Sequence, residues 1–189
     1  MGLLTPIIRR QRFAMVEAYC TGDLLDVGCG QAGLIDAERP GITSYTGVDY
    51  RPELVEALAR RHPQHTFVCA DLDEGELQLE RRFDTVLMVA FVEHICNQKL
   101  LMRQVKAALK PEGRIVLTTP TPFGNDIVHR YGALLGLFSG DASDDHVVIF
   151  NRKRLDVLAQ QCGLRLQHYR RFQLGCNQLA VLGHAEAQS

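Results

Sequence analysis

Apolar runs of four to seven residues alternate along this chain with longer segments whose apolar positions recur at helical spacing. The opening segment, Pro6 to Cys20, sets Ile7, Ile8, Phe13, Val16 and Tyr19 on one loosely helical face, behind a Thr5-Pro6 start. Strands are expected at Asp23–Val27, Ser44–Asp49, Thr66–Ala70, Phe83–Val89 and Arg114–Thr119. The intervening helices are expected from the glycine turn to about Glu38, from Pro52 through Leu54, Val55, Leu58 and Ala59, and from Gln98 to Lys110. Leu109 to Gly113 reads as a stop and turn. Asn151 reads as an N-cap for a helix ending at Gly163. Two last strands, Leu166–Phe172 and Gln178–Gly183, are close enough to form an antiparallel pair. The near-continuous apolar run at Phe83–Val89 suits a strand covered on both faces.

Five strand–helix alternations and a terminal hairpin predict a doubly wound α/β fold. No repeat or linker interrupts the 189 residues, so one domain over 1–189 is expected. The segment 120–150 is long for a plain connection. Ile127, Val128, Tyr131, Leu134, Leu135 and Phe138 give it an apolar helical face, and Gly124, Gly132, Gly136 and Gly140 give it freedom. It reads either as a lid over an acceptor site or as an extra helix completing the core.

Composition adds exclusions. With 21 Lys+Arg against 22 Asp+Glu the net charge is −1, so no global field draws nucleic acid. The short basic clusters Arg9-Arg10-Arg12 and Arg152-Lys153-Arg154 read as solvated helix faces. Six cysteines without a C-x-x-C pair fit free thiols, with Cys69 expected inside a buried strand. No apolar run reaches the roughly 18 residues of a membrane span, and a cytoplasmic location is expected.

The chemistry sits at the strand ends. Leu24 to Gly33 is an apolar run ending in Asp26 and followed by Gly28, Gly30 and Gly33 at G-x-G-x-x-G spacing. The next two strands end at Asp49 and Asp71. Such a rim holds a nucleotide-like cofactor, the glycines admitting close backbone approach and Asp49 accepting from a ribose diol. A dinucleotide would bring its pyrophosphate against Asp26, whereas S-adenosylmethionine (SAM) brings positive charge and no phosphate. An NAD(P)-linked oxidoreductase is therefore the weaker reading; no Tyr-x-x-x-Lys pair is recognisable. A SAM-binding module without turnover is a third.

The run Leu25-Asp26-Val27-Gly28-Cys29-Gly30, with Asp49-Tyr50, Asp71-Leu72, the Phe83–Ile95 segment and Leu109–Gly113, resembles the small class I SAM-dependent methyltransferases of the broad methyltransferase-11/23 type. The resemblance implies a Rossmann-like, seven-stranded, mostly parallel sheet whose last strand is antiparallel. It implies SAM as cofactor, with Gly28 and Gly30 under its methionine part and Asp26 near the ammonium. Asp49 would bind the ribose, Tyr50 would pack beside the adenine, Asp71 would accept from the adenine amine, and Leu72 would cover the ring. The backbone at Val89 and Ala90 would line the methionine end. Val92-Glu93-His94 is similar to the Leu-Glu-His of ubiquinone-pathway O-methyltransferases, where two glutamates and the histidine hold a divalent metal. Here Ala90 stands where the second glutamate belongs, so no metal site is expected. His94 and His146 are the candidate proton acceptors; Glu93 and His94 as mere caps of the following helix is the open alternative. The implied function is methyl transfer to a small molecule, at oxygen, with hydrophobic parts suggested by the 120–150 segment.

Overall fold

The computed structural model describes residues 5–36, 39–73, 75–127 and 147–185. Helix α1 (Thr5–Glu17) precedes β1 (Gly22–Val27), β2 (Ile42–Asp49), α2 (Pro52–Arg61), β3 (Thr66–Cys69) and β4 (Phe83–Val89). A 3₁₀ turn (Val92–His94) leads to α3 (Gln98–Ala107), β5 (Leu109–Pro120), α4 (Pro122–Ile127), α5 (Arg152–Gln161), β6 (Leu164–Phe172) and β7 (Asn177–His184). The seven strands form one sheet in the order β3-β2-β1-β4-β5-β7-β6. All pairings are parallel except those of β7, which runs antiparallel to both β5 and β6. The terminal hairpin thus inserts its second strand beside β5 rather than adding its strands in chain order.

Alternate residues of the central strands supply two separate cores, as the period of two requires. Leu25, Val86, Met88, Ile115 and Leu117 pack with Leu101, Met102 and Val105 of α3 and Leu155 and Leu158 of α5. Leu24, Leu87, Val116, Leu179 and Val181 pack on the opposite face with Val16 of α1 and Leu58 of α2. Covering both faces explains the continuous apolar run in β4. It also fixes β1 and β4 rigidly, so the loops at their ends start from defined positions.

Several expectations change. Residues 31–36 form turns and bends rather than a helix. Their bonds, Ala32 N–H to the Cys29 carbonyl and Ile35 N–H to the Ala32 carbonyl, span three residues, and Ala32 has a φ of +52° that an α-helix does not tolerate. Helix α1 ends at Glu17, short of Cys20, in tight turns from Tyr19 N–H to the Val16 carbonyl and Cys20 N–H to the Glu17 carbonyl. Helix α3 stops at Ala107, before the expected Lys110, because Pro111 disfavours helical backbone at the residue preceding it. Leu109 to Gly113 is already strand, joined to β4 through an irregularity between Phe83 and Thr85. Cys69 is exposed, because β3 is the edge strand; all six cysteines are free. Arg12 turns inward, its guanidinium donating to Asn177 Oδ1 at 3.1 Å, instead of facing solvent with Arg9 and Arg10. Of the 120–150 segment, residues 128–146 lie outside the described residues, and with them most of the proposed lid face. Gly124, read as a point of freedom, is a close contact: a Cβ there would meet the Cys176 carbonyl oxygen at 2.0 Å. Among the described residues no helix is long and apolar enough to cross a membrane.

Candidate functional site

Strand β1 delivers the chain into a turn built on left-handed backbone. Gly28 and Gly30 have φ values of +73° and +53°. The N–H groups of Gly28 and Cys29 both donate to the Val48 carbonyl, at 2.9 and 3.0 Å, which ties the turn to the end of β2. The two glycines serve different neighbours. A Cβ on Gly28 would sit 2.1 Å from the Phe91 ring, whereas a Cβ on Gly30 would meet no protein atom within 4 Å. Gly30 therefore faces open space.

That space is a cavity of about 340 Å³ at the carboxyl ends of β1, β2 and β3. Gly28, Gly30, Asp49, Tyr50, Asp71, Leu72 and His94 line it, all of them residues singled out from the sequence. Phe91, Ile95, Arg51 and Asp73 also line it and were not. The aromatic ring of Tyr50 is available at the rim (65% exposed), while Leu72 is buried at 3%. Asp71 is exposed and its Oδ1 accepts from the Asp73 N–H at 3.0 Å; Asp73 in turn accepts from the Cys96 N–H at 2.7 Å. These bonds shape the loop after β3 into the cavity wall.

Asp49 is the most heavily bonded side chain of the site. Its Oδ2 accepts from the Gly30 N–H at 3.1 Å, and Arg51 donates from both its guanidinium and its main chain. Burial alone would raise this carboxyl; the Arg51 and Gly30 bonds overcome it and hold the group below its ordinary value. Asp49 is thus an anion at neutral pH.

Asp26, Val89 and Ala90 are not among the cavity-lining residues. Asp26 lies buried beneath the turn, where its Oδ2 accepts from the Tyr45 hydroxyl at 2.8 Å. Burial pushes its carboxyl up to about 6, the Tyr45 bond opposing and the Asp49 charge adding. Ala90 has a φ of +51° and donates its N–H to Thr118, fixing the bend from which Phe91 and the 3₁₀ turn project. Glu93 is buried beside this bend, and neither of its carboxylate oxygens has a hydrogen-bond partner among the described residues. Its main-chain carbonyl accepts from the N–H groups of Val147 and Val148, where the chain returns to the described fold. Burial raises the Glu93 carboxyl against the attraction of His94 and Arg12. Among the described residues no three metal-binding side chains gather. His146 lies outside the described residues.

The residues missed from the sequence were of two kinds. Arg51 carried a signal, a cation two positions after the strand-ending carboxylate. Phe91 carried none, because its contact with Gly28 joins loops far apart in the chain.

The cavity suits a nucleoside without phosphates. Its described lining offers carboxylates, a rim aromatic and an apolar floor, and the Arg51 guanidinium there is bonded to Asp49. A methyltransferase-domain family model matches residues 9–169. The chain is similar to ubiquinone biosynthesis O-methyltransferases from Xanthomonas euvesicatoria pv. vesicatoria (31% identical over 101 residues, 51% of this chain and 42% of the relative) and Idiomarina loihiensis (29% over 117 residues, 57% and 48%). It spans less than half the length of these relatives. In fold it is similar to a SAM-dependent methyltransferase from Clostridium acetobutylicum (TM-score 0.70, 12% identity, 97% and 96% covered). It is equally similar to the magnesium protoporphyrin IX methyltransferase of Synechocystis PCC 6803, whose structure holds S-adenosylhomocysteine (SAH) (TM-score 0.70, 17% identity, 95% and 84% covered). A domain match over most of the chain, the seven-stranded sheet with its one reversed strand, and a glycine turn opening on a carboxylate-lined cavity agree: the chain belongs to the methyltransferase-domain family, in its class I, SAM-dependent form.

Proposed function

We propose that this protein transfers a methyl group from SAM to a small-molecule acceptor, at an oxygen atom. The observation that carries the reading is the Asp49 carboxylate, ionised, lining the cavity and anchored to the Gly30 main chain. In this reading Asp49 accepts from the ribose hydroxyls, Tyr50 packs on the adenine, and Leu72 covers the ring. Asp71 accepts from the adenine amine. Gly28 and Gly30 underlie the methionine part, with Val89 and Ala90 shaping that end through the backbone bend. Asp26, buried behind the turn, contributes a negative charge at longer range rather than a contact. SAM, when bound, supplies an electrophilic methyl on a cationic sulfur.

The chain's own residues then have modest work. Holding an acceptor oxygen in line with the methyl supplies about 7–11 kcal/mol of barrier lowering through positioning. His94, on the cavity wall, takes the proton that the acceptor hydroxyl loses, onto an imidazole nitrogen. His146 is a second candidate for that role. Support for oxygen and for a small acceptor comes from the relatives named as O-methyltransferases. The position of His94, at the end of the Val92–His94 turn and lining the cavity, agrees with it.

Two measurements test the reading. Calorimetric titration with SAH is expected to show binding that Asp49→Ala weakens by about one to two decades, the worth of a buried bond to a charged acceptor; unchanged affinity in the folded variant contradicts the ribose assignment. Incubation with methyl-labelled SAM and matched panels of phenols, alcohols and amines is expected to label a hydroxyl compound. Label only on amines contradicts oxygen transfer. Tight SAH binding with no label on any panel favours a SAM-binding module instead.

A further inference from the structure

Asp49 accepts four hydrogen bonds. Its Oδ1 receives the Arg51 main-chain N–H at 3.2 Å and the Arg51 Nε–H at 2.9 Å. Its Oδ2 receives the Gly30 N–H and an Arg51 Nη2–H, each at 3.1 Å. An ionised carboxylate has about four acceptor sites, so this one is saturated. A ribose diol that donates to it must first vacate two.

Which two is decided by what holds each donor. The Gly30 N–H belongs to the turn tied to Val48, and the Arg51 N–H to the start of α2. Neither moves without unmaking the turn or the helix start. The other two donors sit on one side chain, 45% exposed, with its guanidinium 5.7 Å from the Tyr50 ring centroid. A rotation about that side chain releases both at once. The fork of an arginine and the hydroxyl pair of a ribose each donate two bonds, so one replaces the other without leaving the carboxylate short.

We propose that Arg51 is a latch on Asp49: its guanidinium holds the two acceptor positions that the ribose hydroxyls take, and the cofactor binds by displacing it. The inference rests on the assignment of Asp49 to the ribose. Its first consequence is pre-organisation, since the latch keeps the carboxylate ionised and aimed into the cavity. Its second is a lowered apparent affinity, because only the fraction of molecules with the latch released binds the nucleoside. A half-exposed ion pair of this kind sets that penalty at about two- to sixfold. Its third is a dependence on ionic strength, because salt screens the exposed pair and eases release. On displacement the guanidinium stays close to Tyr50, whose ring offers it a resting place at the cavity rim.

The test is SAH titration of the wild type, Arg51→Met and Asp49→Ala at low and high salt, with the Arg51 Nε–H resonance followed by nitrogen-15 NMR in the wild type. Methionine keeps the unbranched stem and removes the fork. Arg51→Met is expected to bind SAH about two- to sixfold more tightly, and to lose the rise in affinity with salt expected of the wild type. The Nε–H resonance is expected to shift away from its ion-paired position at saturating SAH. Equal or weaker binding by Arg51→Met, with Asp49→Ala still damaging, overturns the latch and leaves the ribose assignment standing. An Nε–H resonance unmoved at saturation does the same without any variant. Unchanged SAH affinity in Asp49→Ala overturns both.

Discussion

Gly28 and Gly30 adopt the same left-handed backbone yet make different demands. Alanine at Gly30 adds a Cβ that touches no protein atom, so its cost to folding is the conformational one alone, about 1–2 kcal/mol. The added methyl projects instead where the cofactor is assigned. Gly30→Ala is therefore expected to remain folded while binding SAH at least about tenfold more weakly. Alanine at Gly28 collides with the Phe91 ring and should unfold at a clearly lower temperature than Gly30→Ala. Thermal unfolding beside SAH calorimetry separates the two, and full affinity in Gly30→Ala would remove that turn from the binding site. Asp49 and the glycines were legible in the sequence because local spacing alone puts them at strand ends. Arg51 had a local signal too, a cation two positions after Asp49. Phe91 and the Tyr45–Asp26 bond had none, because each depends on side-chain packing that only the assembled sheet creates.

At the scale of elements, β4 was readable residue for residue, and α5 nearly so, for physical reasons. Strand β4 is apolar throughout because both of its faces are covered. Helix α5 is punctuated at both ends: Asn151 accepts from the Arg154 N–H at 2.9 Å, and Gly163 adopts a φ of +66° just past its end. Asn151→Ala is expected to lower stability by about 0.5–2 kcal/mol with SAH affinity unchanged, read by denaturant unfolding and calorimetry. A matching loss of affinity would mean that α5 communicates with the cavity. Where reading failed, a tertiary demand had overridden local preference. Lys110 illustrates this: its ammonium lies 2.7 Å from both Asp23 Oδ2 and Asp84 Oδ2, drawing residues read as a turn into β5. The reversed hairpin order at the sheet edge had no local signal either.

At the scale of the whole molecule, the buried carboxyl of Asp26 sets a pH dependence. Its carboxyl titrates at about 6 in the folded protein against 3.8 as the ordinary value. Between those values the folded state binds more protons than the unfolded one, so stability falls as pH rises through that window. The full effect is about 3 kcal/mol, present as a cost above pH 6 and absent below pH 4. Asp26→Asn keeps an oxygen for the Tyr45 hydroxyl and removes the charge. It is expected to be the more stable protein at pH 7.5, by about 1–3 kcal/mol, and to lose that advantage at pH 4. Other carboxylates titrate in both proteins, so the difference in unfolding free energy across pH isolates Asp26. No gain at pH 7.5 would place its charge in a better-solvated setting than the one described.

The account as a whole stands on a nucleoside held by Asp49 above the Gly30 turn. A crystal structure of the protein with SAH measures this directly. The expected result is both ribose hydroxyls within hydrogen-bond distance of the Asp49 oxygens, the adenine between Tyr50 and Leu72, and the Arg51 guanidinium withdrawn. A nucleoside bound away from Asp49, with the arginine fork still closed on that carboxylate, would contradict it.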